Sequence, residues 1–540
     1  MPALPASPLS LALTSAPVST GTLAPEARHP VAGAPVTRAR ALLNHPATPV
    51  IALTALAAAL RFALIGHQGF WYDEANTARL VHFSPGRMIG LIPQTESTPP
   101  LYYSVAWLWA RVFGYTEAPL RSLSALAGVA VIPIAYGAGT KLVSRRAGLI
   151  VAAMDACNPI LIWYSQEARS YELLVLLASA SLLAFAYVRR DPTRRAVSVW
   201  VITAALALAT HYYAMLVVVP EALWLLAIHH RRRSVQVGFV VVGLCGVGLM
   251  QLAISQNATG RATWIANTPL GKRLGPVASQ FLVGFGAPGF AVLDPLAVAL
   301  AVFGLVLLAT RSDARERRGA VLAGGLALAG LIINLLLILG GIDDLLARNA
   351  LALWLPAAIA VAGGFAAARA RRVGLAAAAL LCAIGVYIAI SVDANRNLQR
   401  PDWRVVASAL GPRPSAPATP REGRAILIQH YQFLLPLALY EPNLKGMPPA
   451  GARVSEFDVV SFTSPPSNGF CWWGSACNLW PSAMQRRYRL AGFHVISRRH
   501  ALQFTVLRLR ASHPVRLTPH EVSRALTATR FYTDELLIQR

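Results

Sequence analysis

The chain has 540 residues, 55% of them hydrophobic and only 14% charged, where a soluble globular chain carries about 25% charged residues. With five cysteines in all, this excludes a disulfide-stapled mini-protein, wholesale disorder and a single soluble domain. The net charge of +25 would suggest nucleic acid in a soluble protein, but here the arginines fill short loops between apolar runs, so no nucleic-acid partner is expected.

Residues 1–48 are rich in Pro, Ala, Thr and Ser and lack a helical period, which predicts a disordered tail, cytoplasmic by Arg28, Arg38 and Arg40. Apolar runs then recur, and eleven spans are expected: about 49–66, 119–141, 147–164, 171–188, 196–210, 212–229, 235–254, 289–309, 319–340, 349–368 and 373–391. The amphipathic stretch Leu101 to Phe113 is too short to cross and reads as juxtamembrane or re-entrant. Five basic loops alternate consistently as cytoplasmic: 141–146, 189–195, 231–233, 311–318 and 369–372. That places 67–118, 165–170, His211, 255–288, 341–348 and everything after 391 outside.

The expected organisation is therefore a cytoplasmic tail (1–48), an all-α polytopic membrane domain (49–391) and an extracytoplasmic α/β domain (392–540). In the last, 425–429, 457–462, 494–497 and 502–509 read as strands, and 402–410, 431–440 and 519–527 as helices. Cys157, Cys245 and Cys382 fall in spans as apolar fillers. Cys471 and Cys477 flank Trp472 and Trp473 in the exported domain, where a disulfide is expected over a zinc pair because no second pair accompanies them. The excess of arginine and alanine suggests a GC-rich bacterium, and so a bacterial plasma membrane.

The outer loops carry the chemistry. Asp73 and Glu74 follow Trp71 and Tyr72 just beyond the first span; a helix cap would explain Asp73, but paired acids among aromatics suit a site better. Glu96 precedes a Pro-Pro turn that leads into Tyr102 and Tyr103, and these three, with Glu167, Tyr171 and His211, are expected to contact substrate. In the run 164–172, Arg169 is the one strong cation; it pairs with Glu167 or Glu172, or clamps a phosphate beside Tyr171. His211 marks a tight turn, and Arg348, with Asp343 and Asp344, is a second phosphate ligand candidate. Asp155 and Glu221 lie within spans and need partners in the bundle. Ionisable groups gather at one face rather than along a midplane path, which argues against a transporter or flippase of lipid-linked sugars. An outward site needs a donor that reaches it, and a lipid-linked phosphate sugar does.

The ordered motifs Trp-Tyr-Asp-Glu (71–74), Pro-Pro-Leu-Tyr-Tyr (99–103) and Tyr-Ser-Gln-Glu-Ala-Arg-Ser-Tyr (164–171) resemble those of the GT-C membrane glycosyltransferases. Within that group they are most similar to the protein O-mannosyltransferases and the bacterial aminoarabinose transferase. The resemblance covers about residues 50–390 and implies a GT-C bundle of about 11 helices. It implies Asp73 as catalytic base, Glu74 as its neighbouring acid and Arg169 on the donor phosphate. Thr98 stands where many relatives have His. The run Arg400-Pro401-Asp402-Trp403-Arg404 also resembles bacterial relatives, where it opens the exported domain. The implied reaction moves a hexosyl or pentosyl group, mannose-like, from a polyprenyl-phosphate donor to a hydroxyl of a glycan, lipid or protein, with inversion. Glu74 would hold Arg169 or help bind the acceptor. A divalent metal is optional, since arginine can do the same job. The competing enzyme reading is a polymerase or ligase of lipid-linked glycans, but those rely on arginines in a late outer loop.

Overall fold

Apolar runs with helical formers and few internal breakers become helices, and the computed structural model shows one for every expected span. It describes residues 47–412, 422–428, 431–462, 490–525 and 535–539. The helices are α1 (Thr48–Phe62), α2 (Tyr72–Val81), α3 (Pro85–Thr95), α4 (Leu101–Phe113), α5 (Glu117–Leu142), α6 (Arg145–Cys157), α7 (Pro159–Ser165), α8 (Tyr171–Val188) and α9 (Arg194–Thr210). They continue with α10 (Met215–His229), α11 (Arg233–Asn257), α12 (Thr263–Ala266), α13 (Leu270–Val283), α14 (Phe290–Arg311), α15 (Ala314–Leu339), α16 (Trp354–Phe365) and α17 (Arg371–Ala394). Short 3-10 turns at Tyr212–Ala214 and Ala347–Leu353 lead into α10 and α16.

Among the described residues, eight helical stretches are long and apolar enough to cross a membrane, or nine if the α6–α7 pair is one span bent by 58°. The other two expected spans are α1, of 15 residues, and α9, of 17. The chain is a multi-pass membrane protein. Leu101–Phe113 is a 13-residue helix. It leaves Leu108, Val112 and Phe113 exposed, as suits a helix lying along an interface rather than across it.

The α6–α7 bend falls at Asn158-Pro159. Asn158 caps α7, its Oδ1 accepting from the Leu161 N–H at 3.2 Å. Arg61, fully buried, reaches this break: Nη1 donates to the Ala156 carbonyl at 3.2 Å. Nη2 donates to the Asp155 carbonyl at 3.1 Å and pairs with Asp155 Oδ1 at 3.0 Å. Arg61 Nε donates to Ser165 Oγ at 3.1 Å. A Cβ at Gly128 of α5 would lie 2.7 Å from Arg61 Nε, so the close approach here requires glycine. The other acid within a span, Glu221, accepts from Ser181 Oγ at 2.5 Å and Trp200 Nε1 at 3.0 Å. Both acids flagged in the sequence thus face the interior and have protein partners.

Beyond α17 the chain forms α18 (Trp403–Leu410), β1 (Glu422–Ile428), α19 (Leu434–Ala438), β2 (Leu444–Gly446), β3 (Ala452–Phe462), β4 (Phe493–Ala501), β5 (Phe504–Leu517), α20 (Pro519–Ala525) and β6 (Glu535–Gln539). The sheet order is β2-β6-β1-β3-β5-β4. β1 and β3 pair in parallel; β6 enters antiparallel to β1. Trp403, Val406 and Leu410 of α18 pack on one face with Ile426, Val460 and Phe504. The α/β character expected from sequence is present, with β2 and β6 as strands the pattern did not show. The tail expected over 1–48 falls almost wholly outside the described residues, and so do Cys471 and Cys477.

Candidate functional site

α2 starts where the chain leaves α1, and its first turn carries Asp73 and Glu74, where the helix dipole favours negative charge. The two acids then diverge. Glu74 is fully buried. Arg121 of α5 holds it with a fork, Nε to Oε1 at 2.7 Å and Nη2 to Oε2 at 2.6 Å. The Ala168 N–H also donates to Oε1, at 2.9 Å. The remaining Arg121 N–H groups satisfy the carbonyls of Ile65 and Gln68 and Gly69. Burial works against ionisation of Glu74, but Arg121 outweighs it and holds the carboxyl below its ordinary pKa. The expectation that Glu74 holds Arg169 or meets an acceptor is corrected: its oxygens are committed to Arg121 and the Ala168 amide.

Asp73 points elsewhere and is 18% exposed; its Oδ2 lies 3.4 Å from Nη1 of Arg348, itself 25% exposed. The Asp73 carbonyl accepts from Arg169 Nη1 at 3.3 Å. Residues 73, 169 and 348, far apart in sequence, therefore meet at the helix ends away from the basic loops.

Arg169 sits in the tight turn between α7 and α8, its N–H donating to the Glu167 carbonyl at 2.8 Å. Its ion pair is with Glu96, at 2.7 Å, and not with Glu167 or Glu172. Burial would lower the Arg169 pKa, but the Glu96 carboxylate outweighs it and holds the guanidinium charged. Glu96 also accepts from the Tyr103 hydroxyl at 2.6 Å, and Tyr103 in turn meets Thr98 Oγ1 at 3.1 Å. Tyr102 is fully buried against Tyr103, ring centroids 5.5 Å apart. Expected as substrate contacts, Glu96 and Tyr103 are instead tied to each other and to Arg169, and Tyr102 is packed away behind them.

Glu167 is likewise withdrawn. It is buried and paired with Arg400 at 2.8 Å. Burial pushes its pKa up to about 7, against the pull of Arg400. Tyr171 fares differently: it lies within electrostatic reach of Asp73, Arg169 and Arg348. With Tyr164 (centroids 4.7 Å apart) and His211 (5.8 Å) it forms an aromatic wall. His211 Nδ1 accepts from the Tyr213 N–H at 3.3 Å, which leaves the ring proton on Nε2. Burial, Arg169 and Arg348 lower the His211 pKa to about 3, so the ring is neutral. Asp343 is forked by Arg273 at 2.7 and 2.6 Å, and Asp344 accepts from Tyr213 at 3.1 Å.

Sequence reading missed Arg61, Arg121 and Arg273, and noted Arg400 only as the start of the exported domain. A signal existed for the first two: an arginine inside an apolar run needs a buried acid. Among the described residues, no three His, Cys, Asp or Glu side chains converge as a metal set.

Residues 97–254 match the family described as dolichyl-phosphate-mannose-protein mannosyltransferase. No curated protein sequence matches the chain. Among solved structures, ArnT from Cupriavidus metallidurans in the apo state is similar at 14% identity and TM-score 0.50, covering 85% of this chain and 97% of that one. The same protein bound to undecaprenyl phosphate is similar at 13% identity and TM-score 0.48, with the same coverage. The Archaeoglobus fulgidus oligosaccharyltransferase, with zinc and sulfate, is 14% identical at TM-score 0.43 over 67% of this chain and 55% of that one. It is the apo-state likeness, over 85% of this chain, that carries an assignment of fold.

Proposed function

We propose that this chain, which has the GT-C membrane glycosyltransferase fold, moves a sugar from a polyprenyl-phosphate donor to an acceptor hydroxyl, with inversion. The observation that carries the reading is the contrast among the acids at the site. Glu74, Glu96 and Glu167 are buried and tied to arginines, while Asp73 and the arginine beside it are partly exposed. A base must be reachable and ionised. Asp73 takes the proton of the acceptor hydroxyl as that oxygen bonds to the anomeric carbon. The bond from that carbon to the phosphate oxygen breaks, and its electron pair leaves with the phosphate. Arg348 and Arg169 stabilise the departing charge, which grows as the bond lengthens. Tyr171 and His211 flank the sugar, with His211 donating from Nε2.

The face is extracytoplasmic because the basic loops lie at the opposite helix ends. The C-terminal sheet domain is then outside and the N-terminus inside. The family match over 97–254 supports a mannose-like sugar. The test is incubation of the purified protein with polyprenyl-phosphate mannose carrying a labelled sugar, together with cell-envelope glycan, lipid and protein fractions. Label bonded to an acceptor supports the reading. Translocation of intact donor without bond formation overturns it in favour of a flippase.

A further inference from the structure

We propose that Arg400, on the segment leading into the C-terminal sheet domain, is a positioning residue for the donor phosphate: its charge holds Glu167 beneath the turn that presents Arg169. This rests on the reading of the site as a lipid-phosphate glycosyltransferase centre.

Arg400 is buried and inserted between two loops of the membrane domain. Its guanidinium lies over the Trp163 ring, 4.0 Å from the centroid, with the Trp71 centroid at 6.0 Å. Nη2 donates to the Trp163 carbonyl at 2.8 Å and to Glu167 Oε2 at 2.8 Å. The Arg400 carbonyl accepts from Gln68 of the first polar loop. The C-terminal domain thus pushes one cation to the underside of the site.

The turn above has three consecutive residues, each held by a different charged pair. Glu167 is held by Arg400. The Ala168 amide is held by Glu74, which Arg121 anchors. Arg169 is held by Glu96. The Arg169 N–H bonds to the Glu167 carbonyl, so a shift of Glu167 is passed directly to Arg169. Glu167 is faced by Asp73 and Glu74 from α2, Arg169 from its own turn and Arg400 from the linker. Tyr102, Tyr164, Tyr171 and Arg348 complete its surroundings. With two acids close by and burial against it, Glu167 has Arg400 as the main charge that keeps its carboxyl pKa from rising further.

The test uses the full-length protein in nanodiscs, with Arg400→Gln, Arg400→Lys and Arg404→Gln. Arg404 pairs with Glu117 at the same junction, at 2.9 Å, and does not touch Glu167, so it reports general loosening of the domain contact. Polyprenyl phosphate affinity is measured directly, and protonation of Glu167 is read by labelling with a hydrophobic carbodiimide against pH. Arg400→Gln is expected to weaken polyprenyl phosphate about tenfold and to raise the labelling midpoint by about one pH unit. Arg400→Lys, which keeps the charge, recovers most of both, and Arg404→Gln changes neither. Failure of Arg400→Lys to recover affinity beyond Arg400→Gln, or an unchanged affinity in Arg400→Gln, overturns the proposal. Wild-type protein that binds polyprenyl phosphate but transfers no sugar overturns the proposed function alone; wild-type protein that does not bind it overturns both.

Discussion

Two arginine–carboxylate pairs lie on the same side of the bundle and behave as opposites. Below the site, Arg61 and Asp155 are both fully buried at 3.0 Å, and the guanidinium also binds two main-chain carbonyls and a serine. At the rim, Arg348 and Asp73 are 3.4 Å apart and partly open. The lower pair has desolvated its charges and satisfied the arginine, so it has no capacity for a substrate. The upper pair is longer and keeps part of each side chain open to solvent, so separating its members costs less. The lower pair is closed off from solvent, and the upper pair is not.

The largest expected effect is on the lower pair. Asp155→Ala strands a buried guanidinium and should cost about 3–5 kcal/mol, read as loss of thermal stability in detergent. A cost under about 1 kcal/mol would erase the distinction between the pairs. At the rim, Asp73→Asn should leave stability intact and lower turnover about 100-fold. A helix cap would tolerate Asn, so near wild-type transfer would make Asp73 structural as well. Arg169→Ala should weaken donor binding by about 1.5–3 kcal/mol, with Arg169→Lys restoring only part because the planar fork is gone. Unchanged donor affinity would move Arg169 to the scaffold with Glu96.

The last effect concerns pH. The His211 pKa is lowered from 6.5 to about 3, so the unfolded chain binds the extra proton first. Stability attributable to this group is therefore present above pH 6.5 and is lost as pH falls from there toward 3. His211→Gln should flatten that part of the pH–stability curve. An unaltered curve would mean that His211 is not buried neutral at the rim.

The sequence made much of this legible, and its gaps have physical causes. Asp73, Arg169 and Arg348 could be gathered on one face because alternating basic loops assign each helix end a side. The strands and helices around Trp403 and Phe457 followed from short apolar periods. Which acid is open and which is locked was not legible. Glu74 and Asp73 are neighbours in the chain, and only the approach of Arg121 from α5 separates them. Arg169 was given two local acids as partners and took Glu96, which reaches it from the loop between α3 and α4. β6 was missed because three apolar residues between Glu535 and Gln539 become a strand only by pairing with β1, a contact spanning more than a hundred residues.

Pro159 has no N–H, so the Asp155 carbonyl four residues earlier lacks its α-helical donor and takes from the main chain only the Asn158 N–H, at 3.2 Å. Arg61 supplies a further donor there, and another to the Ala156 carbonyl. The guanidinium is in effect a transplanted piece of main chain, grafted from α1 into a break in its neighbour. In a genetic screen, damage from losing Arg61 should be partly suppressed by changes at Pro159 that give the helix back its amide. A second-site map of this protein would then link residues 61 and 159 without either one touching a substrate.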